Sequence, residues 1–237
     1  MATPPGPKEF YEALVLMIKA KIPGFEVRFK NESRLQRFIG AILFFNRAYM
    51  TNYITTLYPH VYFPTRADLE ANYGSAWRVL AHEYVHLCDN KVSKLGFRFK
   101  YLAPQILAVF SLGAIFAFLS LWFLLALVFL LALAPWPSSG RTWAELRGYT
   151  MSLAVDFWPK RILPTQDAKE EVIAHFTGWD YYRMCPNATK VRAAVEEAVQ
   201  KMNTDVLLAG PGSEPYVDVY ELLKQNGLIS VPGAAHA

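Results

Sequence analysis

Forty consecutive residues, Tyr101 to Gly140, carry neither a charge nor a histidine, and within them Ile106 to Ala134 is apolar apart from Ser111, Gly113 and Ser120. A small soluble core has no use for such a run, so it reads as a membrane segment. It also accounts for the 53% hydrophobic content and the positive mean hydropathy of a 237-residue chain that is otherwise ordinary and long enough for one real core. Basic residues gather at both of its ends: Lys91, Lys94, Arg98 and Lys100 before it, Arg141 and Arg147 after it. That placement suits a lipid surface, and the positive-inside rule would keep both ends in the cytoplasm, at the inner membrane. The net charge of +4 comes without a dense basic tract interleaved with aromatics, so nucleic acid is not expected as a partner. Cys88 and Cys185 give neither a disulfide framework nor metal-binding spacing, and Cys88 reads as a small core residue. The start, MATPPGPKEFYEA, lacks a basic stretch followed by an apolar one, so no signal peptide is read.

Just before this run stands VLAHEYVHLCDN, residues 79 to 90. If residues 75 to 90 are helical, the spacing of four puts His82 and His86 one turn apart on one face, within reach of one ion, with Glu83 beside them. This H-E-x-x-H pattern reads as two neutral imidazole ligands for zinc plus a carboxylate that takes a proton from metal-bound water. Its uncharged flanks, Val79 to Ala81, Tyr84, Val85, Leu87 and Cys88, fit a buried active helix. Asp89 is placed to orient an imidazole. The alternative is a buried helix whose histidines only hydrogen-bond to neighbours.

A catalytic zinc takes three protein ligands and keeps one position open. A metzincin continuation would need glycine at 89 and histidine at 92, where this chain has Asp89 and Val92. Past Asp89 the next acidic residue is Glu145, which makes it the leading third ligand; His175, Glu170 and Glu171 are its rivals. The assignment constrains the apolar run. A single crossing would leave Glu145 about 30 Å from the two histidines, across the bilayer. The run must therefore go in and return, as two spans of about 15 to 18 residues with a tight turn between Gly113 and Ser120. A single long tilted helix fits the length but breaks the zinc site.

The remaining chain reads as α+β. Residues 8–22 repeat apolar residues at helical spacing, 25–30 alternate as a strand, and Ser33 caps a helix over 34–45. Residues 53–64 read as a strand pair or a bent edge strand, and residues 72–75 break the chain before the H-E-x-x-H helix. Helices are expected over 141–158, 167–185, 188–204 and 217–227. This gives three parts: residues 1–100 with the active helix, a hydrophobic membrane hairpin over 101–140, and a helical part over 141–237 carrying the third ligand.

HVYFPTRADLE, WRVLAHEYVHLCDN, an apolar hairpin and a helix bearing a glutamate together resemble the membrane gluzincins of the HtpX and CAAX-prenyl-endopeptidase family. The sensor peptidases of the BlaR type are a more distant likeness. The resemblance covers about residues 53 to 155. It implies a small zincin-like domain, zinc on His82, His86 and Glu145, and Glu83 as general base. Tyr149 stands where that family usually has an aspartate, and residues 1–50 carry charges where its N-terminal membrane helices would lie.

The expected activity is that of a membrane-bound zinc metallopeptidase acting on protein or peptide, with Tyr149, Arg147 or His175 stabilising the oxyanion. The alternative from another class is a non-catalytic, membrane-inserting structural or assembly protein on a zincin scaffold. The sequence leaves open whether the chain works within a homo- or hetero-oligomer. The sequons at Asn31 and Asn187 would matter only in a secretory compartment.

Overall fold

The computed structural model describes residues 6–43, 46, 48–179 and 183–229, and all statements below concern these residues. The chain is mostly helical with a small three-stranded sheet. Helix α1 (Pro7–Lys21) leads into strand β1 (Glu26–Phe29), then α2 (Arg34–Ile42) and a single turn, α3 (Ala48–Thr51). The expected 34–45 helix ends earlier, and residues 44 and 45 lie outside the described ones. Ser33 caps α2 as anticipated, its hydroxyl accepting from the Gln36 amide. The segment over 53–64 is a strand pair, β2 (Thr55–Leu57) and β3 (His60–Phe63), with β3 between parallel β1 and antiparallel β2. This order leaves β2 at the edge. Helices α4 (Arg66–Ala71), α5 (Tyr73–Val92) and α6 (Lys94–Leu102) follow. The expected break at residues 72–75 is a cap: the Asn72 side chain accepts from the Ser75 amide, so α5 starts two residues early.

The apolar run is a hairpin of two 3-10 arms, Gln105–Phe118 and Leu121–Leu133, joined at Leu119 and Ser120. Gly113 lies inside the first arm and not in the turn; a Cβ there would come within 3.2 Å of Ala126 on the facing arm. No single helix is long and apolar enough to cross a membrane, though α6 and the first arm would qualify together were they not bent by 87°. After the hairpin come α7 (Ser139–Lys160), α8 (Gln166–Thr177), α9 (Ala188–Asn203), a 3-10 turn (Val206–Leu208) and α10 (Glu214–Gln225). Helix α7 carries Pro159 in its last turn, where only one intrahelical bond is lost, and ends at Arg161 with φ 52°. Helix α8 stops at Thr177 before Gly178, short of the expected 185; residues 180–182 of that stretch are outside the described residues.

One core joins the sequence on both sides of the hairpin. Leu14 and Ile18 of α1, Leu80 and Val85 of α5, Met151 and Phe157 of α7, Val195 of α9 and Val219 of α10 belong to a single buried cluster. Burying each large apolar side chain contributes roughly 1.5–3 kcal/mol, and the consequence is that α5 and α7, far apart in sequence, lie against each other.

Lys30 is a fully buried lysine. Lys30 donates to the Tyr49 carbonyl at 2.6 Å and lies 3.9 Å from the centre of its ring. Burial pushes its pKa down to about 8, with the Glu83 charge partly opposing. The unfolded chain therefore holds more protons than the folded one between pH 8 and the ordinary lysine range, and stability rises with pH across that window. Relative to Lys30→Met, the wild type is expected to gain on the order of 2 kcal/mol between pH 8 and 10. Denaturant midpoints of the two proteins at the two pH values measure this.

Candidate metal centre

Helices α5 and α7 bring three potential ligands together. His82 and His86 project from one face of α5, as the spacing of four requires, and Glu145 projects from the first turns of α7. All three are at most 8% exposed. The two Nε2 atoms are 3.1 Å apart, and Glu145 Oε2 lies 3.3 Å from that of His82 and 3.8 Å from that of His86. One donor atom from each residue lies within 4.8 Å of the others, so the buried group can hold a metal ion.

The surroundings fix these atoms. Tyr101, at the end of α6, donates its hydroxyl to Glu145 Oε1 at 2.5 Å, which leaves Oε2 to the histidines. His82 Nδ1 sits 3.3 Å from the Ser152 hydroxyl, whereas His86 Nδ1 is buried without a hydrogen-bond partner. The rings of Phe97 and Tyr101 both lie 6.1 Å from that of His86, so α6 covers the site on one side. Tyr149 meets His82 edge-on at 5.0 Å, and His175 stacks on Tyr149 at 5.2 Å. Glu83, 8% exposed, accepts from the Thr56 hydroxyl at 2.6 Å, which ties the edge strand β2 to α5.

The electrostatics follow from the crowding. Burial drives the His86 pKa down, but the hydrogen bond and charge of Glu145, with Glu83 and Asp89, outweigh it and lift His86 to about 9. Burial alone would raise the Glu145 pKa; hydrogen bonds from His82 and His86 and the charge on both instead hold it well below the usual carboxylate range. The cluster thus pairs one carboxylate with positive charge, and a cation bound there would take over that role.

Glu145, not its rivals, completes the group. Glu170 is engaged by Arg192 and Gln166 on the surface, Glu171 is exposed, and His175 is held behind Tyr149. Arg147 lies elsewhere: its guanidinium makes a bidentate pair with Asp89 at 3.0 and 3.1 Å and reaches the Gly212 carbonyl. Both Asp89 oxygens therefore meet arginine and not an imidazole, and Ser152 is the group beside His82 Nδ1. The Arg147–Asp89 pair ties α7 to α5.

Four residues of the site escaped the sequence reading: Thr56, Tyr101, Ser152 and Gly148. The last had a signal. A helix interior disfavours glycine by about 1 kcal/mol against alanine, and Gly148 stands three residues past Glu145, hence on its face. A Cβ at 148 would lie 2.4 Å from His82 Nε2. Gly148→Ala is accordingly expected to displace the imidazole and weaken metal binding about 10- to 100-fold, with helical content by circular dichroism unchanged. A competition titration against a chromophoric chelator reads the loss.

Comparisons with protein-family models, curated proteins and solved structures found no match to this chain.

Proposed function

We propose that this chain is a membrane-anchored zinc metallopeptidase of the gluzincin type. The observation that carries the reading is the convergence of His82 and His86 from one helix with Glu145 from another, beside a Glu83 held in place by Thr56. Ligand atoms on three corners of a tetrahedron around an ion with bonds of about 2.0–2.1 Å stand about 3.4 Å apart. The separations here, 3.1, 3.3 and 3.8 Å, bracket that value. Two imidazoles and a carboxylate are also the donor set that zinc accepts in hydrolytic sites.

Zinc bound there would supply a Lewis acid and lower the pKa of a bound water to about 7. Glu83 accepts from the Thr56 hydroxyl with one oxygen, and its other oxygen would serve as the base that accepts a water proton and would hand it to the leaving amine nitrogen. Tyr149, edge-on to His82 and backed by His175, is the candidate donor to the oxyanion. The edge strand β2 would pair with an extended peptide.

The hairpin supports the membrane part of the reading. At about 2.0 Å per residue, the 14-residue first arm reaches about 28 Å, close to the thickness of a hydrocarbon core of about 30 Å. Both arms expose apolar side chains to their surroundings, Ile115 and Leu125 among them. Exposed Trp122 stands beside the turn and exposed Trp136 at the base, where tryptophans anchor at the two interfaces.

A non-catalytic, membrane-inserting assembly protein is the second reading, favoured by the burial of all three ligands, since structural metal sites are closed. Metal analysis and a peptide-library assay on detergent-purified protein separate the two. Stoichiometric zinc, with hydrolysis lost on chelation and restored by zinc, is the expected result. Zinc without hydrolysis, or no zinc in a folded protein, would favour the second reading.

A further inference from the structure

Helix α6 has two apolar faces. At about 100° per residue, Phe97 and Tyr101 share the face turned to the metal group, while Leu95, Phe99 and Leu102 fall roughly 150° away. That second stripe is exposed, at 70, 57 and 44%. Exposed Lys94 and Arg98 border it on one side, and exposed Lys100 lies on the other border of the helix. No acidic residue occurs between Asp89 and Glu145. The helix also crosses the first arm of the hairpin at 87°. A hairpin set along the bilayer normal therefore places α6 in the plane of the membrane, where an apolar stripe bounded by lysine and arginine is the pattern of an interfacial helix.

We propose that α6 seats its Leu95, Phe99 and Leu102 face on an anionic lipid leaflet and roofs the metal group from that side. The proposal rests on the reading of the hairpin as the membrane anchor and extends it to the site itself. The ligands then lie about one helix diameter, about 10 Å, below the leaflet surface. The charge on α6 makes the seating depend on lipid composition, since each basic residue near an anionic surface is worth roughly fivefold in binding. Because Tyr101 on the inner face holds Glu145, α6 joins the lipid contact directly to the ligand set.

The test uses the full-length wild type in nanodiscs of phosphatidylcholine mixed with phosphatidylserine, doped with a lipid carrying a photoactivatable diazirine high in its acyl chain. Cross-links are mapped by peptide mass spectrometry, and the measurement needs no bound metal. The expected result is labelling of both hairpin arms and of Leu95, Phe99 and Leu102, with Phe97, Tyr101 and α9 unlabelled. Omitting phosphatidylserine, or introducing Lys94→Glu with Arg98→Glu, should lower the α6 labelling about fivefold or more while the arms keep theirs. Labelled arms with an unlabelled α6, or α6 labelling indifferent to lipid charge, would overturn this proposal and leave the anchor reading intact. Arms and α6 both unlabelled would overturn the anchor reading and the proposal with it.

Discussion

His86→Ala and Glu145→Gln are each expected to reduce zinc in the purified protein from one equivalent to a trace, with an affinity loss near a thousandfold. Three-dentate sites divide their binding free energy among few ligands: of the roughly 10–16 kcal/mol typical for structural zinc, one ligand in three or four carries about 4 kcal/mol, close to a thousandfold. Glu145→Gln is the sharper case. It keeps the volume and can still accept from the Tyr101 hydroxyl, which bonds Glu145 Oε1 at 2.5 Å. What it removes is the charge that lifts His86 to about 9 and that two imidazoles draw well below the carboxylate range. Loss of zinc in both variants, with His175→Ala unaffected, would define the ligand set. Zinc lost with His86→Ala and retained with Glu145→Gln would remove Glu145 from the set, and the need for the apolar run to return to its starting side would go with it.

The three side chains of the buried group were legible in the sequence because their logic is local or topological. Two histidines four apart on an uncharged helix share a face whatever the rest of the chain does, and Glu145 was the next acidic residue past Asp89. The return of the apolar run followed from that pair of facts, and the hairpin closes at Ser120, at the end of the expected range. Other features were not legible, for physical reasons. Helix α6 has two apolar stripes separated by basic residues, so it lacks the single period by which a surface helix is recognised. The arms wind as 3-10 helices, a choice that an unbroken apolar composition does not encode. Tyr101 and Thr56 enter the site from distant segments through tertiary packing alone. Arg147 stands within two residues of Glu145, yet successive positions on a helix point in different directions, and its guanidinium meets Asp89. The helical face of Glu145 instead carries Gly148, three residues on, whose missing Cβ leaves room for the His82 imidazole.

Glu83→Gln should separate binding from chemistry. The side chain is adjacent to the ligands on α5 but is not one of the three that converge, so the variant is expected to keep a full equivalent of zinc. Its amide oxygen can still accept from Thr56, so the position of the group and the tie between β2 and α5 should survive. What the amide cannot do is take a proton from water. General-base contributions run about 10²- to 10⁴-fold, and peptide hydrolysis, which needs the same group again to protonate the leaving nitrogen, should fall toward the upper end of that range. Thr56→Val tests the support in turn: it leaves the base present but unheld, and a loss of roughly tenfold or more in kcat with little change in KM is expected if orientation is the contribution of Thr56. A Glu83→Gln protein that hydrolyses peptides as fast as wild type, with zinc in place, would remove Glu83 as the general base and end the mechanism built on it. Zinc in both proteins with hydrolysis in neither would instead make the His82, His86 and Glu145 group a buried metal tie between α5 and α7, of the kind that the second reading requires.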